Sequence, residues 1–359
     1  MAQLAASTYL YTSPGGVNIP IGAVSTINMS NPNLKWERQA SVNFGIDFST
    51  KGGKISGAID YYVRNTNDLL VNRALPNVTG FNSVITNLGK VDNSGFEFSL
   101  NTENIKKNNF VWRTTIAAWT NKNKIVSLYG EVPVTDATGK VTYKEQDDRA
   151  NGWFIGQDIN TVWDFNVLGV WRVDEAATAK SFGFSPGDFK LEDVTKDGKI
   201  TVDDKVFLGR TTAKLSFNLR NEFTLYKNWD FSFQLYGRLG QLSQFNEAAN
   251  TDRFYDRSQF YKRPYWTPEN QINDYGRMMS SIGSGIGFNI WRKSSFVRLN
   301  NIGIAYNMPK KYIEKMKFQS LKFYFNIQNA LVVSPWEYFD PENKGFTPSY
   351  GTFGINLTF

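Results

Sequence analysis

Apolar and polar residues alternate with a period of two along most of this chain. At its end, for example, Phe353, Ile355, Leu357 and Phe359 are separated by small or polar residues. A period of two places alternate side chains on opposite faces of a β-strand. The pattern predicts nine strands, at 36–48, 55–63, 96–101, 110–116, 215–225, 229–239, 296–307, 321–329 and 350–359.

Short turns and very long segments join these strands in alternation. The longest connections cover residues 127–212 and 241–294. Long strands with short turns at one end and long loops at the other are typical of a transmembrane β-barrel with extracellular loops. A surface β-sheet that serves adhesion or ligand binding without transport is the alternative. Lipid contact requires an uninterrupted apolar outer face, where an adhesin would carry charges.

The number and phase of the strands add two expectations. Single-chain bacterial barrels have an even number of strands, so nine strands predict the C-terminal part of a larger barrel. Residues 1–34 are then an extracellular loop segment, and residues 35–359 belong to the barrel with its loops. The apolar phase slips at Asn300 and Asn301, which predicts a β-bulge.

Composition excludes several classes of function. The chain has no Cys and no His, which excludes disulfides, thiolate or imidazole metal sites and His-based catalysis. Aromatic residues reach 15% while mean hydropathy is −0.40, and no apolar run is long enough for a membrane helix. The net charge of +7 comes from Lys and Arg scattered among Asp and Glu, so no nucleic-acid surface is predicted. Carboxylate pairs such as Asp147 and Asp148 point to opposite faces of a strand, and no catalytic residue is predicted.

One segment in the first long loop has the spacing of a calcium loop. Six oxygen-bearing residues occupy positions 1, 3, 5, 7, 9 and 12 of an EF-hand-like sequence, with Gly198 at position 6. These residues are Asp193, Thr195, Asp197, Lys199 through its carbonyl, Thr201 and Asp204. Thr195 and Asp204 depart from the usual Asp or Asn and Glu, so a metal-free acidic turn is the alternative. The predicted role of Ca²⁺ is structural.

Aromatic residues in the two long loops are candidate ligand-binding residues. An exposed ring can stack on the face of a sugar, and the predicted set is Trp153, Trp163, Trp171, Tyr255, Tyr261 and Trp266. The alternative is that loops of this length bury such rings in small cores of their own.

Several sequence motifs together resemble the SusC/RagA family of TonB-dependent outer-membrane transporters. They are 31–37 (NPNLKWE), 265–270 (YWTPEN), 295–299 (SFVRL), 306–309 (YNMP), 326–329 (NIQN), 340–342 (DPE) and the terminal Phe. The resemblance covers nearly the whole chain and rests on the order of the motifs.

The resemblance implies a 22-stranded barrel in the bacterial outer membrane, of which these would be the last nine strands. The family's signal peptide, TonB-contacting segment and plug are expected to be absent from this chain, with the first strands. It also implies import of a large nutrient, most often an oligosaccharide and sometimes a peptide, with the TonB complex and a SusD-like lipoprotein lid as partners. Phe353, Ile355, Leu357 and Phe359 resemble the signal that the barrel-assembly machinery recognises.

Overall fold

The structure is a computed structural model that describes residues 4–12, 18–26, 28–75, 77–81, 83–135, 138–250, 263–280, 287–314 and 318–359. Strands dominate it: β1 (Leu4–Thr12), β2 (Asn18–Thr26), β3 (Asn28–Met29), β4 (Arg38–Ser49), β5 (Ile55–Ala74), β6 (Ser83–Lys107), β7 (Phe110–Ser127), β8 (Val132–Thr135), β9 (Val141–Lys144), β10 (Thr161–Phe165), β11 (Val167–Val170), β12 (Phe189–Leu191), β13 (Lys205–Arg210), β14 (Leu215–Leu225), β15 (Trp229–Leu239), β16 (Leu242–Gln244), β17 (Trp291–Lys293), β18 (Phe296–Asn307), β19 (Ser320–Val333) and β20 (Tyr350–Thr358). The α-helices in this part of the chain are α1 (Ala176–Ser181) and α2 (Lys310–Ile313), and 3-10 turns lie at Asn77–Thr79, Val173–Glu175, Val202–Asp204 and Asn246–Ala249. None of the helices described is long and apolar enough to cross a membrane.

The nine predicted strands form one sheet in sequence order. That order is β4-β5-β6-β7-β14-β15-β18-β19-β20, and the short β3 pairs with β6 outside it. All of the long connections lie at the same end of the strands, because each strand runs antiparallel to its neighbour in the sheet. We call the row of strand ends on one side an edge of the sheet. β14 and β15 have the predicted bounds, whereas β6 begins at Ser83, before the predicted residue 96.

Cross-strand pairing gives the sheet one apolar and one polar face. Residues directly opposite one another lie on the same face of antiparallel strands. One row across six strands contains Trp112, Phe223, Phe231, Ile304, Phe325 and Phe353. The neighbouring row, on the other face, contains Arg113, Glu222, Ser232, Gly303, Asn326 and Thr352. We call these the aromatic face and the polar face.

The aromatic face is exposed rather than packed on a second sheet. Phe231, Ile304, Phe325 and Phe353 are 37%, 44%, 41% and 66% exposed. A soluble sandwich would bury this face, so its exposure favours contact with lipid.

The predicted bulge is confirmed at Asn300. The pairing of β18 with β15 skips this residue, since Leu299 lies opposite Leu235 and Asn301 lies opposite Gln234. The register with β19 shifts at the same point. Because of this extra residue, the alternation of side chains between the two faces of the sheet changes phase at Asn300.

Contacts divide the chain into two compact units. The first comprises residues 1–44, 60–96 and 121–159, and the second comprises residues 45–59, 97–120 and 160–359. Within the first unit β1 pairs with β2, and β8 pairs with β9. Residues 4–12 and 18–26, which were predicted as part of a loop segment, are therefore two antiparallel strands. A small core in this unit contains Leu88, Val91, Ile125 and Leu128.

Candidate functional site

The long connections of the second unit fold around a common hydrophobic core, which we call the loop core. It draws on residues 160–212, on the segment between β15 and β18, and on the connection between β19 and β20. Its buried members are Phe165, Val170, Trp171, Ala179, Phe184, Phe189, Leu191, Ile200, Phe245, Ala248, Ala249, Trp266, Tyr275, Phe288, Ile290 and Trp336. Loops that carry their own core hold a defined surface at one edge of the sheet.

A buried carboxylate, Asp164, joins two of these connections. Asp164 is 3% exposed, and its Oδ2 accepts hydrogen bonds from the side chains of Asn289 and Trp291 at 2.9 and 3.0 Å. Lys205 Nζ lies 3.5 Å from Oδ1. The negative charge is therefore compensated, as a buried carboxylate requires.

Asp188 forms a second anchor of the same kind. It is 1% exposed, and Arg277 Nε donates to its Oδ1 at 3.0 Å while Ser185 N donates to its Oδ2 at 2.9 Å. The preceding Gly187 has a φ of +88°, and a Cβ there would lie 2.7 Å from the ring of Trp266. Glycine at this position lets the indole pack directly on the backbone.

Two of the sequence motifs meet in a buried ion pair between the wall and the last loop. Arg298 on β18 is 3% exposed and Asp340 is 6% exposed, and Nη2 lies 2.5 Å from Oδ2. Tyr236 on β15 donates to Glu342 Oε2, also at 2.5 Å. We call these four residues the Arg298 cluster. Both motifs were recognised from the sequence, but their pairing was not predicted. The only sequence signal for it is that one motif contains Arg298 and the other contains Asp340 and Glu342.

Two opposing effects act on the pKa of the Asp340 carboxyl group. Burial raises the pKa, but the hydrogen bonds from Arg298 and from the backbone of Glu342 and Asn343 lower it by a larger amount. The pKa of Asp340 therefore lies below the ordinary 3.8. Asp340 is therefore ionised at neutral pH, and the cluster holds the last loop against the polar face.

The predicted calcium loop is closed by hydrogen bonds. Asp204 is fully buried, and its oxygens accept from Thr195 N at 3.0 Å and from Thr201 N at 2.8 Å. Asp193 accepts from Lys196 N and Gly198 N at 2.7 and 2.9 Å. Burial raises the pKa of Asp204, but these bonds from Thr195 and Thr201 lower it to a net value below 3.8.

The loop has oxygen donors of the type that a hard cation binds. Among the residues that the structure describes, no group of three acidic side chains is close enough to hold a metal ion. The six-oxygen site therefore stays a prediction.

The aromatic candidates in the loops divide into three groups. Trp171 and Trp266 are 3% and 5% exposed and belong to the loop core, so a stacking role for their rings is not supported. Trp153 packs against the small core of the first unit, and Lys205 Nζ lies 5.4 Å from the centre of the Trp163 ring. Tyr255 and Tyr261 lie outside the described residues.

A groove of about 480 Å³ lies on the polar face, which we call the polar-face groove. Its charged lining residues are Arg113, Arg220, Glu222, Asp230 and Lys322. Arg220 pairs with Glu222 at 2.7 Å and Lys322 with Asp230 at 3.5 Å. Guanidinium, amide and hydroxyl groups on this face can hydrogen-bond to a polar solute.

A nine-stranded antiparallel sheet with an exposed aromatic face, a polar face and structured loops at one edge defines the wall of an outer-membrane β-barrel. A family described as TonB dependent receptor-like, beta-barrel, matches residues 2–330, and the chain belongs to this family. The fold, the family and the outer-membrane location expected from the sequence are confirmed.

Similar proteins include TonB-dependent receptor P26 of Formosa agariphila, which is 32% identical over 92% of this chain and 35% of its own length. TonB-dependent receptor SusC of Bacteroides thetaiotaomicron is 27% identical over 88% of this chain and 30% of its own length. The chain thus spans about a third of these relatives. Both are named as receptors, in line with the expectation that the chain is not an enzyme.

Among solved structures, one titled as the RagAB peptide transporter matches the whole chain with a TM-score of 0.71 at 19% identity. The match covers 38% of that chain. At this identity it supports the fold alone.

The residues of the predicted assembly signal lie on the last strand and at its end. Phe353, Ile355, Leu357 and Phe359 are 66%, 54%, 39% and 76% exposed, and the Phe359 ring packs edge-on against Phe318 at 5.5 Å. Their exposure is compatible with recognition by another protein, which stays a prediction.

Proposed function

We propose that this chain is part of a TonB-dependent importer that carries a large nutrient, an oligosaccharide or a peptide, across the outer membrane. The single observation that supports it most is the segregation of the sheet into an aromatic and a polar face. In a barrel, the aromatic face contacts lipid and the polar face lines the lumen. Partners in this proposal are the TonB complex, a SusD-like lipoprotein above the loop core, and the barrel-assembly machinery.

Substitution in the polar-face groove tests the proposed path of the substrate. Arg220 is half-exposed in the groove, and losing a charged hydrogen-bond donor costs about 1.5 kcal/mol or more, which is about tenfold in a rate or affinity. We expect Arg220→Gln in the full-length protein to lower TonB-dependent uptake of fluorescent oligosaccharides or peptides by about that factor.

Leu219→Ala is the matched control, because the neighbouring side chain lies on the opposite face of β14. It should leave uptake unchanged at equal surface abundance. Equal uptake by the wild type and the Arg220 variant would contradict a route along this face. The same assay distinguishes the two substrate classes, since only one set of probes should enter in a TonB-dependent manner.

The calcium loop offers a third test. We propose that Ca²⁺ binds the segment 193–204 and stabilises the first long loop, supported by its oxygen donors and by Gly198 with a φ of +79° at the turn. Calcium titrated into the full-length protein in a calorimeter should give a saturable heat that Asp197→Ala abolishes, because alanine removes the oxygen ligand. Asp203→Ala, at the non-ligating position 11, should retain it. Identical heats from both variants would remove the site.

A further inference from the structure

Lysines lie in, or directly before, four connections of the sheet. These connections join β4 to β5, β6 to β7, β14 to β15 and β18 to β19, and they lie at the edge opposite the long loops. We call their lysines the lysine rim: Lys51, Lys54, Lys106, Lys107, Lys227, Lys310 and Lys311.

Backbone hydrogen bonds place the neighbouring connections side by side. Glu103 N donates to Lys54 O, Tyr226 N donates to Asn109 O, and Asn307 N donates to Asn228 O, each at 2.7 Å. The lysines, although far apart in sequence, therefore follow one another along a single edge of the sheet.

The charges of the lysine rim are almost uncompensated. All seven side chains are exposed. Among the described residues only Lys106 has a carboxylate partner, Glu103, at 3.2 Å. Glu314 is the one acidic residue in the described parts of these connections. Like charges on adjacent connections repel one another, and an anionic partner would relieve the repulsion.

The long connections have the reverse balance when they are taken together. Residues 127–212, 241–294 and 334–349 contain 23 Asp and Glu against 18 Lys and Arg. The net charge of +7 therefore comes from the rest of the chain, which includes the lysine rim.

Aromatic residues border the lysine rim on the aromatic face. Trp229 and Tyr306 pair at 4.7 Å between ring centres, and Trp229 and Tyr226 are 43% and 71% exposed. Tyr and Trp concentrate at the interface between hydrocarbon and headgroups. With these rings at that interface, the lysines just beyond them would lie at the level of the headgroups, where a long side chain can extend its ammonium group toward phosphate.

We propose that the lysine rim binds the anionic phospholipid headgroups of the periplasm-facing leaflet. Short turns of such barrels face the periplasm, which identifies the leaflet. Phosphate oxygens are the groups that the ammonium donors would bind, and the continuity of the rim with the aromatic border favours a lipid over a soluble acidic protein.

Spin-labelled lipids in vesicles measure this preference directly. We expect the full-length protein in phosphatidylcholine vesicles to select labelled phosphatidylglycerol over labelled phosphatidylcholine by about fivefold, the factor that one lysine at a headgroup supplies. The preference should fall towards unity in 0.5 M salt, since exposed charges are then screened within about 4 Å.

Two variants with the same change in net charge separate the lysine rim from bulk charge. Lys107→Gln, Lys227→Gln, Lys310→Gln and Lys311→Gln together remove four of the seven charges and should lower the preference markedly. Lys122→Gln, Lys124→Gln, Lys144→Gln and Lys180→Gln, all exposed on the long-loop side, should retain it. Heat-modified mobility in gels confirms that each variant is folded. A wild type without preference, or equal loss in both variants, would overturn the proposal.

Discussion

Replacing Asp340 with alanine should lower the free energy of unfolding of the full-length protein by about 3 kcal/mol. Arg298 is 3% exposed, and its Nε already has no hydrogen-bond partner in the described residues. Loss of Asp340 would leave a buried guanidinium with only Glu342, at 4.0 Å, as a nearby carboxylate. Urea unfolding in lipid vesicles measures the change.

Removing both charges of this pair is the informative control. The double variant Arg298→Met with Asp340→Ala should recover much of the loss, because no uncompensated buried charge remains. Glu269→Ala, an exposed residue in the segment 263–280, should have almost no effect. If Asp340→Ala proved as mild as Glu269→Ala, the ion pair would not anchor the last loop.

The same pair gives a pH dependence with a definite sign. Because the pKa of Asp340 in the folded protein is below its ordinary 3.8, the stabilisation is present above the unfolded value. It is lost as the pH falls through about 4 toward the folded pKa. The wild type should therefore lose more stability than Asp340→Asn over this acidic range.

A lysine on the aromatic face should be costly where a lysine on the polar face is tolerated. Phe325 lies opposite Ile304 and Phe353 and is 41% exposed, whereas the next residue, Asn326, lines the polar-face groove. A charged residue in the hydrocarbon region of a barrel costs about 2–4 kcal/mol. Phe325→Lys should therefore reduce the folded fraction after refolding into vesicles, and Asn326→Lys should change it little.

The two substitutions are adjacent in sequence and introduce the same side chain. They therefore differ only in the face of the strand on which the lysine lies. Equal tolerance of both would argue that the aromatic face does not contact lipid. That outcome would favour the alternative of a surface sheet that displays binding loops.

The alternation of apolar and polar residues was sufficient to predict strands that have one apolar and one polar face. β14 and β15 follow the predicted bounds because apolar residues recur at every second position of Leu215–Leu225 and Trp229–Leu239, apart from Asn221 and Gly237. The phase slip at Asn300 likewise identified the bulge, since one extra residue shifts every later side chain to the other face. Family membership was also readable, from the order of short motifs.

Tertiary structure alone decided the features that depend on residues far apart in the chain. β6 extends back to Ser83 through a polar stretch with no clear alternation, because its length is set by the neighbouring strands that pair with it. Trp171 and Trp266 were predicted to stack on a ligand, but both lie in the loop core. The loops have no hydrophobic periodicity, so only their packing determines which rings are buried. The pairing of Arg298 with Asp340 depends on how the last loop folds over the wall. Contacts between distant residues leave no period in the sequence, so only the folded chain shows them.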